Sequence, residues 1–226
     1  MTDYVFPPAV TAVPTSTGAL FPVRRIYCVG RNYAEHAREM GHDPNEAPPF
    51  FFGKPADALV TDDGDMPYPT ETADLHHEIE LVAALGSGGT DISVESALAH
   101  VWGYAVGLDM TRRDTQATAK KGGRPWDMAK GFDHSAPIGT LVPASGNHPA
   151  SGRISLTVNG TVRQDADIAD MIWDLPHVIA YLSKSIELKR GDLIFTGTPA
   201  GVGAVVRGDV LVGEIAGIGS VRTKIV

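Results

Sequence analysis

Apolar and polar positions alternate along several stretches of this chain with the period of a strand, and one stretch sets charge into that alternation. In Leu75-His76-His77-Glu78-Ile79-Glu80-Leu81-Val82-Ala83-Ala84-Leu85 an extended backbone sends successive side chains to opposite faces. Ile79, Leu81, Ala83 and Leu85 then share an apolar face, and Glu78 and Glu80 point the other way. Apolar runs predict further strands at residues 25–29, 50–52, 101–108, 191–196, 210–215 and 220–226. Residues 154–158 and 161–163 alternate around Asn159-Gly160, a pair that accepts the positive φ of a two-residue hairpin turn. That hairpin reads as scaffold.

Helical spacing is confined to short segments. Residues 33–40 form one, closed by Gly41; Ser93 is placed to cap another running to His100. Residues 111–117 continue to a stop at Lys120-Lys121-Gly122-Gly123, and Asp174 caps 175–184, where Pro176 sits early enough to be tolerated. Residues 1–22 are punctuated by proline, 44–49 read as a connection, and 61–74 form an acidic turn region. Residues 124–142 show no clean period and read as loop with short strands.

Composition narrows the class. The 226 residues are 43% hydrophobic, enough for one domain with a real core, and 25 Gly with 16 Pro argue for many turns rather than a helix bundle. A net charge of −8 disfavours nucleic acid or an anionic membrane as partner, so an anionic substrate would need local cations. The single cysteine, Cys28, excludes an intrachain disulfide and lies in an apolar run, where it reads as a small buried hydrophobe. No signal-peptide pattern and no membrane-length apolar run occur, so a cytoplasmic protein is expected.

Two like charges on one strand face call for a cation or an exposed edge. Asp109 ends the 101–108 run and could bring a third carboxylate; an all-oxygen set of this kind suits Mg²⁺, Mn²⁺ or Ca²⁺ better than zinc. Glu-x-Glu is also common on solvated strands, so spacing alone does not decide. His36 and Glu39, three apart on a helix, have the geometry of a base and its orienting carboxylate, or of a surface ion pair. Arg113 and Gln116 share a helix side just beyond Asp109. Lys54 is a substrate cation or a solvated strand end, Lys130 a loop lysine with either role, and His134 carries no assignment. The loop Gly197-Thr198-Pro199-Ala200-Gly201-Val202-Gly203 offers backbone N–H groups and a hydroxyl to a carboxylate, or is a plain turn.

Taken in order, Cys28-Val29-Gly30-Arg31-Asn32-Tyr33 with His36 and Glu39, His77-Glu78-Ile79-Glu80-Leu81, Gly107-Leu108-Asp109-Met110-Thr111, Ala129-Lys130-Gly131-Phe132-Asp133 and the Gly197 loop resemble the fumarylacetoacetate hydrolase family, from about residue 24 to the end. Within it the chain looks most like fumarylpyruvate hydrolases and acylpyruvases, and is similar also to oxaloacetate decarboxylases. The resemblance implies an α+β fold, mainly β, with a mixed curled sheet or roll and a few helices, forming residues 24–226 behind an extended segment 1–23. It implies a homodimer, and Mg²⁺ or Mn²⁺ on Glu78, Glu80 and Asp109. It gives His36 and Glu39 as a water-activating pair on a segment that orders over ligand, with Lys130 beside them, and Arg113, Gln116 and Thr198 as substrate contacts. Gly131 stands where related acylpyruvases can carry serine, and the extra N-terminal domain of the eukaryotic fumarylacetoacetate hydrolases is not found. The activity implied is hydrolysis of a 2,4-diketo acid such as 3-fumarylpyruvate in aromatic catabolism. Oxaloacetate decarboxylation, another 2-oxo acid lyase or isomerase reaction, or non-enzymatic ligand binding are the alternatives.

Overall fold

A computed structural model describes residues 4–41, 43 and 48–226; the connection expected over 44–49 lies outside them at 44–47, as do the first three residues of the N-terminal segment. The fold is mainly β with few helices. Its central element is a six-stranded sheet in the order Val142–Pro143, Val101–Leu108, Ile79–Leu85, Asp192–Phe195, Arg25–Gly30, Phe50–Lys54. All neighbours pair antiparallel except Asp192–Phe195 and Arg25–Gly30, which run parallel, with Leu193 opposite Ile26 and Phe195 opposite Cys28. A four-stranded antiparallel sheet, in the order Thr161–Asp167, Arg153–Val158, Val210–Ile215, Gly219–Lys224, packs over one face. The hairpin turn is as expected, with Asn159 at φ 52° and Gly160 at φ 77°.

Burial corrects the reading of the central strand. Ile79, Leu81, Ala83 and Leu85 enter the main core with Ile154, Leu156, Leu211 and Ile215, while Val82 and Ala84 enter a second core with Cys28, Phe195, Val13 and Phe21. Both faces are covered, so the two glutamates stand at the end of an interior strand, not on a solvated one. The N-terminal pair Ala12–Pro14 and Leu20–Pro22 supplies that second cover through Val13 and Phe21. Gly107 makes the close packing possible: a Cβ there would lie 2.6 Å from the Phe195 ring and from Val82.

The helices occupy the expected places with shifted ends. Ala34–Glu39 is followed by Gly41 at φ 78°; Ser93 caps Val94–Ala97; Asp174 accepts from His177 N–H at the start of Leu175–Ser183, whose Val178, Ile179 and Leu182 are buried. The helix after Asp109 begins at Arg113 and ends at Lys121, because Thr111–Arg112 pairs as a strand with Leu75–His77. Residues 124–142 are more ordered than their pattern suggests: Asp127–Lys130 is a helix, and Ala136–Pro137 pairs with Leu59–Val60. A single helical turn has too few residues to show a period.

Candidate active site

The strand that begins at Ile79 is interrupted at Glu78, whose carbonyl accepts from Asp109 N–H at 2.8 Å. That bond holds the end of Val101–Leu108 beside the glutamates. Glu78, Glu80 and Asp109 are all buried, and each offers an oxygen within 4.8 Å of the others.

Cations surround two of the three carboxylates. Lys130 Nζ donates to Glu78 Oε2 at 2.7 Å, Asp109 Oδ2 at 2.7 Å and Thr111 Oγ1 at 2.6 Å. Arg113 pairs with the other Glu78 oxygen. Lys54 Nζ sits 2.8 Å from Asp109 Oδ1 and also donates to the carbonyls of Met110 and Lys130. Lys54 is therefore neither a solvated strand end nor a group open to substrate, and Lys130 is no solvated loop lysine: both are buried ion-pair partners. A charge inside protein needs a counter-charge, which is why these lysines cluster on the acids.

Glu80 differs. Among the described residues no cation pairs with it, and its Oε2 accepts only from Gly197 N–H, at 2.8 Å. Burial, and then the Asp109 and Glu78 carboxylates, push its proton affinity well above the usual carboxylate range. Burial pushes Glu78 up too, but Lys130 and Arg113 outweigh it and hold Glu78 below that range; the same two acids overcome burial at Lys130 and raise it. Asp109 Oδ1, buried, has the Lys54 ammonium at 2.8 Å but no hydrogen bond of good geometry. Three clustered hard oxygen donors, one of them without a cationic partner among the described residues, fit a divalent cation of the Mg²⁺ or Mn²⁺ kind.

His36 lines the same cavity. Its Nδ1 lies 3.1 Å from Glu39 Oε2, and Glu39 Oε1 accepts from Gly201 N–H at 3.1 Å. An ionised carboxylate only accepts, so Nδ1 carries the hydrogen and Nε2 of the neutral ring is free to take a proton. The Gly197 loop thus uses its N–H groups on the chain's own Glu80 and Glu39. Both glycines are required: φ is 95° at Gly197 and 94° at Gly201, and a Cβ on Gly201 would lie 2.1 Å from the Arg163 carbonyl. Asn32 ties the chain after Arg25–Gly30 to the start of this loop, donating to the carbonyls of Trp173 and Thr196 at 2.8 Å each and accepting from Trp173 N–H.

Eight of the nine candidate residues, His36, Glu78, Glu80, Asp109, Arg113, Gln116, Lys130 and Thr198, line one cavity; Glu39 stands behind His36. Gln116 Oε1 accepts from Arg113 Nη1 at 2.8 Å. His134 lies outside the cavity lining, exposed, at φ 62°.

The sequence reading missed Gln164, on the hairpin taken for scaffold. Its Oε1 accepts from Ile79 N–H and its Nε2 donates to the Pro199 carbonyl, and these two backbone partners fix the amide orientation. His77 Nδ1, 3.1 Å from Oε1, must then be the donor. Thr198 Oγ1, 2.8 Å from Nε2, must be the acceptor, which leaves the Thr198 hydroxyl hydrogen to point elsewhere. Alternation along 161–167 would have shown only a polar residue on the inward face.

Residues 25–226 match the family model for the fumarylacetoacetate (FAA) hydrolase C-terminal domain. The chain belongs to the fumarylacetoacetate hydrolase family. A fumarylpyruvate hydrolase from Pseudomonas aeruginosa, whose crystal structure is in complex with Mn²⁺ and pyruvate, is 52% identical, superposes with a TM-score of 0.96 and is covered over 99% of both chains. The mitochondrial oxaloacetate decarboxylase of Dictyostelium discoideum and an oxaloacetate tautomerase of Escherichia coli (strain K12) are each 42% identical over 198 residues, 86% of this chain and 90% of theirs. Family members with this domain thus include both hydrolases and enzymes of oxaloacetate. Among the described residues no helix is long and apolar enough to cross a membrane.

Proposed function

We propose that this protein is a divalent-metal-dependent hydrolase that cleaves the C3–C4 bond of a 2,4-diketo acid, with 3-fumarylpyruvate, in gentisate-type aromatic catabolism, as the substrate that fits best. The observation that carries the reading is the histidine of the cavity: His36 faces three clustered carboxylates and is itself held by Glu39, which is anchored on Gly201. An oriented imidazole beside an acidic centre is the equipment for attack by water.

Mg²⁺ or Mn²⁺ held by Glu78, Glu80 and Asp109 would supply Lewis-acid charge to the two oxygens of the 2-oxo acid end. His36 Nε2 removes a proton from water as the oxygen adds to C4; general-base help of this kind is worth about 10²- to 10⁴-fold. Glu39 stabilises the imidazolium formed. The C3–C4 bond then breaks, its electron pair passes to C3, and the proton on His36 is available to restore the methyl group of pyruvate, while the acyl half leaves as a carboxylate. Arg113 and the Thr198 hydroxyl are the donors facing the cavity for the substrate carboxylate and the developing enolate charge, and Lys130, its three hydrogens held by Glu78, Asp109 and Thr111, adds positive charge beside them. A homodimer in the cytoplasm fits this reading.

A second reading follows from the relatives acting on oxaloacetate at 42% identity. Tautomerisation or decarboxylation would use the same acidic centre, with His36 moving a proton at C3 instead of activating water. Ultraviolet absorbance of enolised fumarylpyruvate with protein and Mn²⁺, with chelator and with His36→Ala as controls, separates them. Metal-dependent loss of the chromophore to fumarate and pyruvate, abolished in the variant, is expected. An inert chromophore with oxaloacetate consumed or tautomerised instead would replace the hydrolase by the second reading.

A further inference from the structure

Around the mouth of the cavity, four side chains outside the site described above form a continuous contact chain. Arg31 Cζ lies 5.2 Å from the centroid of the Phe50 ring; Phe50 meets Trp126 edge-on at 5.5 Å; Lys120 Nζ lies 5.1 Å from the centroid of Trp126. All four line the same cavity as the three carboxylates, and all four are half-buried where the acids are fully buried, which puts them at its open end. Among the described residues neither Arg31 nor Lys120 forms an ion pair or donates a hydrogen bond.

Charge makes this rim unlike the interior. Inside, the carboxylates of Glu78, Glu80 and Asp109 are matched in number by Lys54, Lys130 and Arg113. At the rim two cations stand over two aromatic rings, and among the described residues no acid pairs with either. Burial, then Arg31 and Arg113, draw Lys120 down to about 8, as expected of an ammonium that lacks a counter-ion. Arg31 is held in the left-handed region at φ 56°, an uncommon conformation for arginine, by a chain that turns directly into the buried Asn32.

We propose that Arg31 and Lys120, with Phe50 and Trp126 between them, form a second carboxylate subsite that binds the far end of an extended, unsaturated dicarboxylic substrate. The proposal rests on the hydrolase reading and deepens it: the acyl group accepted is one that ends in a carboxylate. Flat carbon packs on the aromatic rings, and the terminal carboxylate reaches cations already paid for by the fold. A short acyl group such as acetyl would leave both cations unpaired.

The test measures binding before turnover. Calorimetric titration of the Mn²⁺-loaded, pyruvate-saturated protein with fumarate and with crotonate, its monoacid of the same length, compares ligands that differ in one carboxylate. Fumarate is expected to bind at least tenfold more tightly; Lys120→Met and Arg31→Met should each cut that ratio severalfold, and Lys120→Arg should retain it. Equal affinities in the unaltered protein, or a ratio that survives the Lys120→Met, Arg31→Met double variant with its circular dichroism intact, would overturn the subsite. In parallel, kcat/KM for fumarylpyruvate relative to acetylpyruvate should fall at least tenfold in Lys120→Met. A protein that hydrolyses neither acylpyruvate yet prefers fumarate keeps the subsite and loses the hydrolase reading; one that hydrolyses both without preference keeps the hydrolase and loses the subsite.

Discussion

Replacing Gln164 by leucine removes a side chain of nearly the same size that is 1% exposed and makes four hydrogen bonds. Two of its partners, the rings and hydroxyls of His77 and Thr198, can turn to other positions. The other two cannot: Ile79 N–H at 3.1 Å and the Pro199 carbonyl at 2.8 Å are backbone groups fixed inside the molecule. Leaving a buried donor or acceptor bare costs about 1–3 kcal/mol, so the pair should cost about 2–6 kcal/mol. Urea unfolding followed by tryptophan fluorescence, with the slope compared between proteins, reads this directly. A loss below about 1 kcal/mol would refute the inference that Gln164 ties the Glu78 interruption to the Gly197 loop. The same hydrogen-bond logic makes Thr198 a donor toward the cavity. Thr198→Val keeps the shape and removes that donor, so KM should rise about 10- to 100-fold, the worth of one hydrogen bond to a charged group, with Thr198→Ser restoring it. An unchanged KM would mean that the hydroxyl faces elsewhere.

Three further outcomes are expected. Glu80→Gln should weaken Mn²⁺ binding at least tenfold by calorimetry, and, because its amide oxygen can still accept from Gly197 N–H and Glu80 has no cationic partner among the described residues, should not lower the melting temperature measured in chelator; intact Mn²⁺ affinity would remove Glu80 from the ligand set. Glu39→Gln should cut kcat at least tenfold while sparing metal affinity, since it keeps the contact to His36 but not the charge that favours the imidazolium; unchanged turnover would take Glu39 out of the chemistry. Lys120 lies at about 8 instead of 10.5, so its charge is present below pH 8 and lost as pH rises through that value. With Arg31, Arg113, Lys130 and Glu78 as its charged neighbours, kcat/KM for a dicarboxylic substrate should decline above about pH 8, and Lys120→Arg should carry that limb to higher pH; a profile identical in the variant would detach it from Lys120.

Local chemistry made part of this structure legible in the sequence. Asn159-Gly160, the Ser93 and Asp174 caps and the Gly41 stop are fixed by backbone conformation, which neighbouring residues alone dictate. The carboxylates could be placed because a strand's alternation survives burial, even though the strand proved to be covered on both faces. What escaped notice depends on distant partners. Lys54 read as a substrate cation or a solvated strand end because nothing within a few residues shows that Asp109 waits 2.8 Å away, and Gln164 looked idle because its partners lie 85 and 35 residues off in the chain. The helix Asp127–Lys130 was invisible for a different reason: four residues make one turn, and one turn has no repeat.

The place of Asp192–Phe195 between Ile79–Leu85 and Arg25–Gly30 bears on how the chain is made. Until residue 195 has left the ribosome, the central sheet exists as two halves, each with a bare edge of backbone N–H and C=O groups that will later be interior. Leu193, Ile194 and Phe195, all wholly buried in the finished molecule, are the wedge that joins them. Exposed edges of this kind invite pairing with other chains. Synthesis stalled or truncated before this strand should therefore yield aggregates rather than a smaller folded protein, and Glu80 and Glu39 lack their Gly197 and Gly201 anchors until those residues have been made.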